Sequence, residues 1–471
     1  MTAIPAAYGA YKRLVGRFPQ IRQLNMFAEA TPTRPQNGFV LLARPGLESF
    51  ATQPAGGRRG IFQRQDAFDS DALVVCGTTV SRLSSSGSLT TLLGASVTGS
   101  DRVRAAFGRS DDGYDQMRIA TGDALLLVQS DVVAVDTSFG DTGACYDIES
   151  LRNFWFGVEP GSDKIFTRIP GDGATWDPLT FTSSEYKPDR TEAIRALGDQ
   201  VWILDATSCG PWYLSGTTDV ILPQAGMTFN YGALSGSRDA AVSDGDTLVF
   251  VASDYTVKVT TGGTPVILSD ESLSEQLRGA DPTTMRAWMI TLDQHQFYVL
   301  TSNVGTWALD LSTKLIHPWA SNGYDYWRAD MGCRLAGGAI VALDALGSNI
   351  WRLSSTKYTD AGDEIECLWT AVAQVDEGSV SCDSFSITGA VGYGPHEDAG
   401  AEPVVSMRYS DDEARTWSRW RERGLGRMGQ RTVPIQWNDL GQISGPNGRT
   451  FEVRCTADVV RRFADPRVNA P

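Results

Sequence analysis

Three histidines, 56 carboxylates and 41 basic side chains are the raw material for chemistry in this 471-residue chain, and their spacing argues against a catalytic centre. His295 and His317 fall inside strand-like runs, where a hydrogen-bonded structural imidazole is expected in preference to a general base. His396 sits in the loop YGPHEDAG and reads as exposed. The acidic group SDDGYD, with Asp111, Asp112 and Asp115 after Ser110, lacks the ligand spacing of a calcium loop and reads as a solvated turn. GLGRMG at 424–429 matches G-x-G-x-x-G, but it leads into the strand-like RTVPIQW where a dinucleotide site needs a helix. The nucleophile elbow G-x-S-x-G, the phosphate loop G-x-x-x-x-G-K-[ST] and the zinc motif H-E-x-x-H are all missing. No catalytic, cofactor-binding or metal-ligating residue is therefore assigned, and no cofactor is expected. The seven cysteines, Cys76, Cys145, Cys209, Cys333, Cys367, Cys382 and Cys455, are odd in number and form no C-x-x-C pair, so reduced, buried thiols are expected.

The sharpest local pattern is SDDEARTWS at 410–418. Ser410, Asp412, Thr416 and Trp417 match the Asp-box turn of sialidase-type propellers, with Ala414 in place of the usual glycine. In such a turn the carboxylate accepts bonds from backbone amides that would otherwise go unpaired, so the expected role is structural. Five arginines follow: Arg419, Arg421, Arg423, Arg427 and Arg431. On an extended strand the first three share one face, which makes the group a candidate interface for acidic surface or phosphate, or else a solvated face.

The elements that carry these residues read as short strands. From about residue 60 to 355 the chain repeats an apolar run, a turn with Gly, Asp or Ser, and a second, alternating run. The hairpins fall at 71–94, 122–140, 198–216, 245–269, 295–319 and 338–355, mostly about 40 to 50 residues apart. That period predicts an all-β chain with a β-propeller of about six or seven blades, because a small twisted sheet buries both faces only when stacked around an axis. Trp202, Trp212, Trp307, Trp319 and Trp351 are the expected fillers between blades. Helices are few: Ser272 with Glu275 reads as a capping box, and Asp281-Pro282 starts a second short turn. Strand runs after residue 366 predict a separate C-terminal β-sandwich-like platform. The expected division is an N-terminal arm 1–36, a propeller 37–357 and the platform 358–471. The Gly- and Ser-rich stretch 223–238, with Met227, Phe229 and Tyr231, is the candidate lumen-lining loop.

The net charge of -15 excludes generic attraction to nucleic acid or an anionic membrane. Residues 401–471 run against this balance, with 12 Lys/Arg to 9 Asp/Glu, whereas residues 1–400 hold 29 to 47. The basic segment is thus a candidate docking surface. Lys12, Arg13, Arg17 and Arg22 interrupt the N-terminal residues, no run reaches the roughly 20 apolar residues that span a bilayer, and membrane insertion is not expected.

Several long segments carry a family resemblance. PWYLSGTTDVILPQAGMTFNYGALSGSRDAAVSDGDTLVFVASDYTVKVTTGGTPVILS, then HQFYVLTSNVGTWALDLSTKLIHPWAS, then RYSDDEARTWSRWRERGLGRMGQRTVPIQWNDLG resemble the packaged-DNA stabilisation proteins of short-tailed phages. The opening LNMFAEATPTRPQNGFVLLARPGLESFA is similar to the same family's early stretch. Ala414 and the pair Gln294-His295 depart from its pattern. The resemblance implies a structural tail hub or nozzle and not an enzyme: a homo-hexamer below the portal and its adaptor ring, closed by a needle or plug, with fibres or spikes around it. Packaged DNA would pass its lumen without sequence-specific binding. Such a protein is assembled in the host bacterial cytoplasm and resides in the virion tail. The rival reading is a glycan-binding or sialidase-like glycan-cleaving propeller, which would need several Asp-box turns and an arginine cluster beside a Tyr/Glu pair.

Overall fold

The computed structural model describes residues 2–4, 10, 21–30, 38–171, 175–184, 187, 189–216, 220–374, 378–394, 402–444 and 448–469. Seven antiparallel sheets follow one another as blades, at 58–91, 104–135, 147–183, 191–223, 242–267, 286–318 and 329–354. The middle strands are largely apolar because both of their faces are covered: all five residues of Ala72–Cys76 are buried, as are the last five of Gln200–Asp205. Blade 3 occupies the long gap between the hairpins at 122–140 and 198–216. Its strands Asp147–Leu151 and Phe154–Val158 were harder to read because acidic and aromatic residues break the alternation.

Blade 7 supplies only three of its own four main strands. The fourth is Gly46–Thr52, antiparallel to Asn349–Ser354, with Gly46 opposite Ser354, Thr52 opposite Asn349 and a bulge at Phe50 between Ser49 and Ala51. The two ends of the propeller are thereby joined through backbone bonds in one sheet. Gly46 is required at this closure, since a Cβ there would lie 2.5 Å from the carbonyl oxygen of Lys357 and 2.6 Å from that of Thr359. Each of the seven blade-to-blade contacts has its own apolar layer. Val75 and Leu73 of blade 1 meet Ile119 and Val128 of blade 2, for example, and Val74 meets Leu343 and Ile350 of blade 7 on the other side. Trp202 lies between blades 4 and 5, Trp212 between 3 and 4, Trp307 between 5 and 6, and Trp319 and Trp351 between 6 and 7.

The first strand of each blade lines the axis. A charged collar joins the leading ends of these strands. Asp330 of blade 7 pairs with Arg286 of blade 6 at 2.6 Å, Arg58 of blade 1 at 2.7 Å and Arg102, on the approach to blade 2, at 3.3 Å. Asp147 of blade 3 pairs with Arg195 of blade 4 at 2.6 Å and lies 3.6 Å from Arg104 of blade 2.

The C-terminal region is a two-sheet sandwich, and the N-terminal residues are part of it. Gln23–Leu24 pairs with Cys367–Ala373, while the hairpin Met26–Ala30 and Phe39–Ala43 adds to Arg462–Val468. Strands on either side of the expected boundary at 36/37, Met26–Ala30 and Phe39–Ala43, pair with each other, and the second pairs with Arg462–Val468. Sequence could not show this because the partner strands lie more than 300 residues away. Among the described residues there is one α-helix, Glu271–Arg278, and its amides are capped by Asp270, whose side chain accepts from Leu273 N at 2.8 Å, in place of the expected Ser272. Asp281 caps the next turn, Pro282–Thr284, as read.

A buried polar joint locks sandwich to propeller. Arg44 donates to Asn25 Oδ1 at 2.8 Å, to Pro45 O at 3.1 Å, to Ala320 O at 2.9 Å and to both carboxylate oxygens of Asp360. All five guanidinium hydrogens thus have an acceptor. Asn25 also donates to Glu366 O and accepts from Ala320 N, so one side chain touches both domains.

Candidate functional site

The turn at 410–416 closes on its own side chains. Asp412 Oδ1 accepts from Thr416 N at 2.8 Å, Oδ2 from the Thr416 hydroxyl at 2.6 Å, and the Ser410 hydroxyl both donates to Asp412 and accepts from Ala414 N. The hydroxyl of Thr416 and its amide, with Ser410, hold the Asp412 carboxyl down at about 2. Ala414 takes φ +68°, the left-handed region that glycine enters freely. The half-buried Trp417 stacks with Arg408, whose guanidinium lies 4.4 Å from the ring centroids of both Trp417 and Trp420. Arg408 is held there by the buried carboxylate of Glu452, which also receives Arg22 at 2.9 Å.

The arginines that follow divide into two groups. Arg421 Nη1 donates to the carbonyls of Asn438 and Asp439 at 2.9 and 3.3 Å, and Arg423 Nε to that of Gln436 at 2.7 Å. They stitch the edge strand Arg421–Gly424 of one sheet to Ile435–Asn438 of the other, and Trp437 returns a bond to Arg421 O. Their charge is spent partly within the chain. Arg419, Arg427 and Arg431 are exposed.

The stretch 223–238 leaves the outer strand of blade 4 at Pro223 and crosses to blade 5, where Ala233 bridges Ala252. Phe229 pairs through its backbone with Cys209, its ring stacks 6.2 Å from Trp202 and 5.7 Å from Tyr231, and Lys258 Nζ lies 4.5 Å over the Tyr231 ring. Met227 is half-buried. The stretch ends in buried Arg238, which donates to Tyr146 O and Arg102 O. Its aromatic side chains are packed on blades 4 and 5, and its last residue reaches the charged collar.

The histidines are structural contacts. His295 Nδ1 meets Asp310 Oδ2 at 2.7 Å beside the rings of Phe27 and Phe297, and His317 Nδ1 meets Gln23 Oε1 at 2.9 Å. Burial pushes His317 down to about 3. His396 lies outside the described residues. Of the acidic group, Asp111 accepts from Gly171 N and Asp115 from Phe68 N. Among the described residues no group of His, Cys, Asp or Glu is placed to hold a metal ion, and the seven cysteines are unpaired. Sequence reasoning missed the collar and the Arg44 joint, whose bonded members are as much as 341 residues apart and share no motif.

A closed ring of sheets, bolted to a sandwich through the buried Arg44–Asp360 pair and its hydrogen bonds, defines a scaffold. The family model described as "Bacteriophage P22 Gp10, beta-propeller" matches residues 2–356, and "Bacteriophage P22 Gp10, beta-sandwich" matches residues 365–470. The chain belongs to this family of packaged-DNA stabilisation proteins and is a structural protein of the phage virion. A search of curated proteins finds no match. Among solved structures, the chain is similar to virginiamycin B lyase from Staphylococcus aureus, at 16% identity and TM-score 0.45 over 65% of this chain and 98% of that one. It is also similar to the Pan2 WD40 domain of Neurospora crassa, at 9% identity and TM-score 0.39 over 66% and 97%. No functional argument rests on either likeness.

Proposed function

We propose that six copies of this chain form the hub or nozzle of a short phage tail, below the portal adaptor ring, where they surround the DNA exit and help retain the packaged genome. The observation that carries the reading is the joint at Arg44, Asp360 and Asn25, which makes propeller and sandwich one stiff wedge able to bear load in a ring. The acidic balance suits a conduit, since each added Lys or Arg contact to phosphate would hold DNA back. The exposed Arg419, Arg427 and Arg431 are the proposed docking face for an acidic neighbour in the particle, either an adjacent copy or the adaptor. Needle or plug, and fibres or spikes, are the remaining proposed partners. The stretch with Met227, Phe229 and Tyr231 lines the lumen if the outer rim of blade 4 faces the ring axis. A catalytic role is not part of the reading: the described histidines are engaged in internal contacts, and the Asp412 carboxylate is consumed by its own turn.

Electron microscopy of the purified chain, alone and with its adaptor, tests this. Sixfold rings with an open centre support it, whereas a chain that stays monomeric with and without the adaptor at tens of micromolar overturns it.

A further inference from the structure

The axis of the propeller holds a cavity of about 590 Å³ between the first strands of the blades. Near its collar end six guanidinium groups, those of Arg58, Arg102, Arg104, Arg195, Arg238 and Arg286, share three aspartates, Asp147, Asp239 and Asp330. The sharing is uneven. Asp330 serves three arginines, and its carboxyl is held at about 2 because Arg286, Arg102 and Arg58 outweigh the burial that would raise it. Arg104 lines the cavity, and among the described residues no acceptor lies within hydrogen-bond reach of its Nε, which is buried: its nearest carboxylate oxygen, on Asp147, is 3.6 Å away. Arg102 Nη1 is likewise buried with no acceptor.

Glu149 is the other acid on this wall. It faces Arg104 and Arg195, and burial raises its carboxyl above the ordinary range against the pull of those two guanidinium groups. Asp244, Arg64 and Arg334 line other parts of the wall, where Arg64 is taken by Asp66 and Arg334 by the carbonyl of Thr291.

A buried guanidinium nitrogen without an acceptor is costly, and six arginines set against Asp147, Asp239, Asp330 and Glu149 leave an excess of positive charge that calls for a counter-ion. The geometry points to a site for a small inorganic oxyanion of the phosphate or sulfate class, seated in the axial cavity on Arg104 and Arg102 with Arg286 beside them. An oxyanion fits better than a halide because a guanidinium fork offers two parallel N–H donors to two oxygens. A duplex does not fit a cavity of this size, so the DNA path of the proposed hub lies elsewhere. The site does not depend on the hub reading: it belongs to the single chain.

Calorimetric titration of the full chain at pH 7 tests this with inorganic phosphate, with sodium chloride at matched ionic strength, and with a short 5′-phosphorylated oligonucleotide. Phosphate is expected to bind saturably and to raise the melting midpoint, with Arg104→Met and Arg102→Met weakening it at least tenfold and Arg334→Met by less than twofold. Should Arg104→Met fail to fold, Arg104→Lys keeps the charge but loses the fork, and a loss of threefold or more is expected. No saturable heat with phosphate, an equal response to chloride, binding of the oligonucleotide alone, or unchanged affinity in the arginine variants overturns the proposal.

Discussion

Replacing Arg44 with methionine removes the centre of the joint between the two domains while keeping most of the side-chain volume. The buried pair Arg44 and Asp360 exposes 0% and 1% of its side chains. After the change Asp360 keeps only the Ser321 hydroxyl, at 2.8 Å, among the side-chain donors that now hold it, and Ala320 O loses its guanidinium donor. Removing one partner of such a pair costs about 3 to 5 kcal/mol, mostly for the charge left behind. Asp360→Asn should cost less, because an amide can stay buried beside arginine. The double variant should recover about 1 to 3 kcal/mol relative to the sum, as expected for side chains in direct contact. Urea midpoints of the four proteins, followed by tryptophan fluorescence, measure the cycle, and Trp327, 5.2 Å from the Arg44 guanidinium, reports locally. A loss under about 1 kcal/mol for Arg44→Met, below the buried-pair range, would refute the idea that this pair holds the domains together.

Two buried groups should tilt stability with pH in opposite senses. His317 sits at about 3 when folded, against 6.5 ordinarily, so as pH falls below 6.5 the unfolded chain takes a proton that the folded one refuses. Stability then falls by up to about 1.4 kcal/mol per pH unit, and His317→Gln should flatten this slope in urea titrations between pH 6.5 and 4. Asp205 is pushed up to about 7 by burial despite bonds from Ser184 and Thr191, so it keeps a proton that the unfolded chain releases above 3.8. Stability is therefore lost as pH rises from about 4 to 7, and Asp205→Asn should remove that loss. Gly46→Ala drives a Cβ into two carbonyls at the ring closure, and calorimetry should show about 1 to 3 kcal/mol of destabilisation. Ala414→Gly should stabilise the sandwich by up to about 1 kcal/mol by relieving a left-handed alanine, and a lowered melting midpoint would contradict this.

Local features of this chain were legible from composition and spacing alone. The middle strands ALVVC, VWILD and TLVFV announce themselves because burial on both faces leaves mostly apolar residues. The Asp412 turn could be read because every partner lies within six residues. Axial strands such as RRGIFQ and RAAFGR were not legible, since one end faces a charged collar and the middle faces a channel, which breaks the alternation. The pattern thus determined an all-β chain of repeated small sheets followed by a second β-unit. Tertiary structure alone decided that there are seven blades, that strand Gly46–Thr52 closes them, and that the first strands belong to the last domain. Those outcomes depend on pairing residues hundreds of positions apart, where backbone hydrogen bonds and buried charges select a partner by geometry that no local run of side chains encodes.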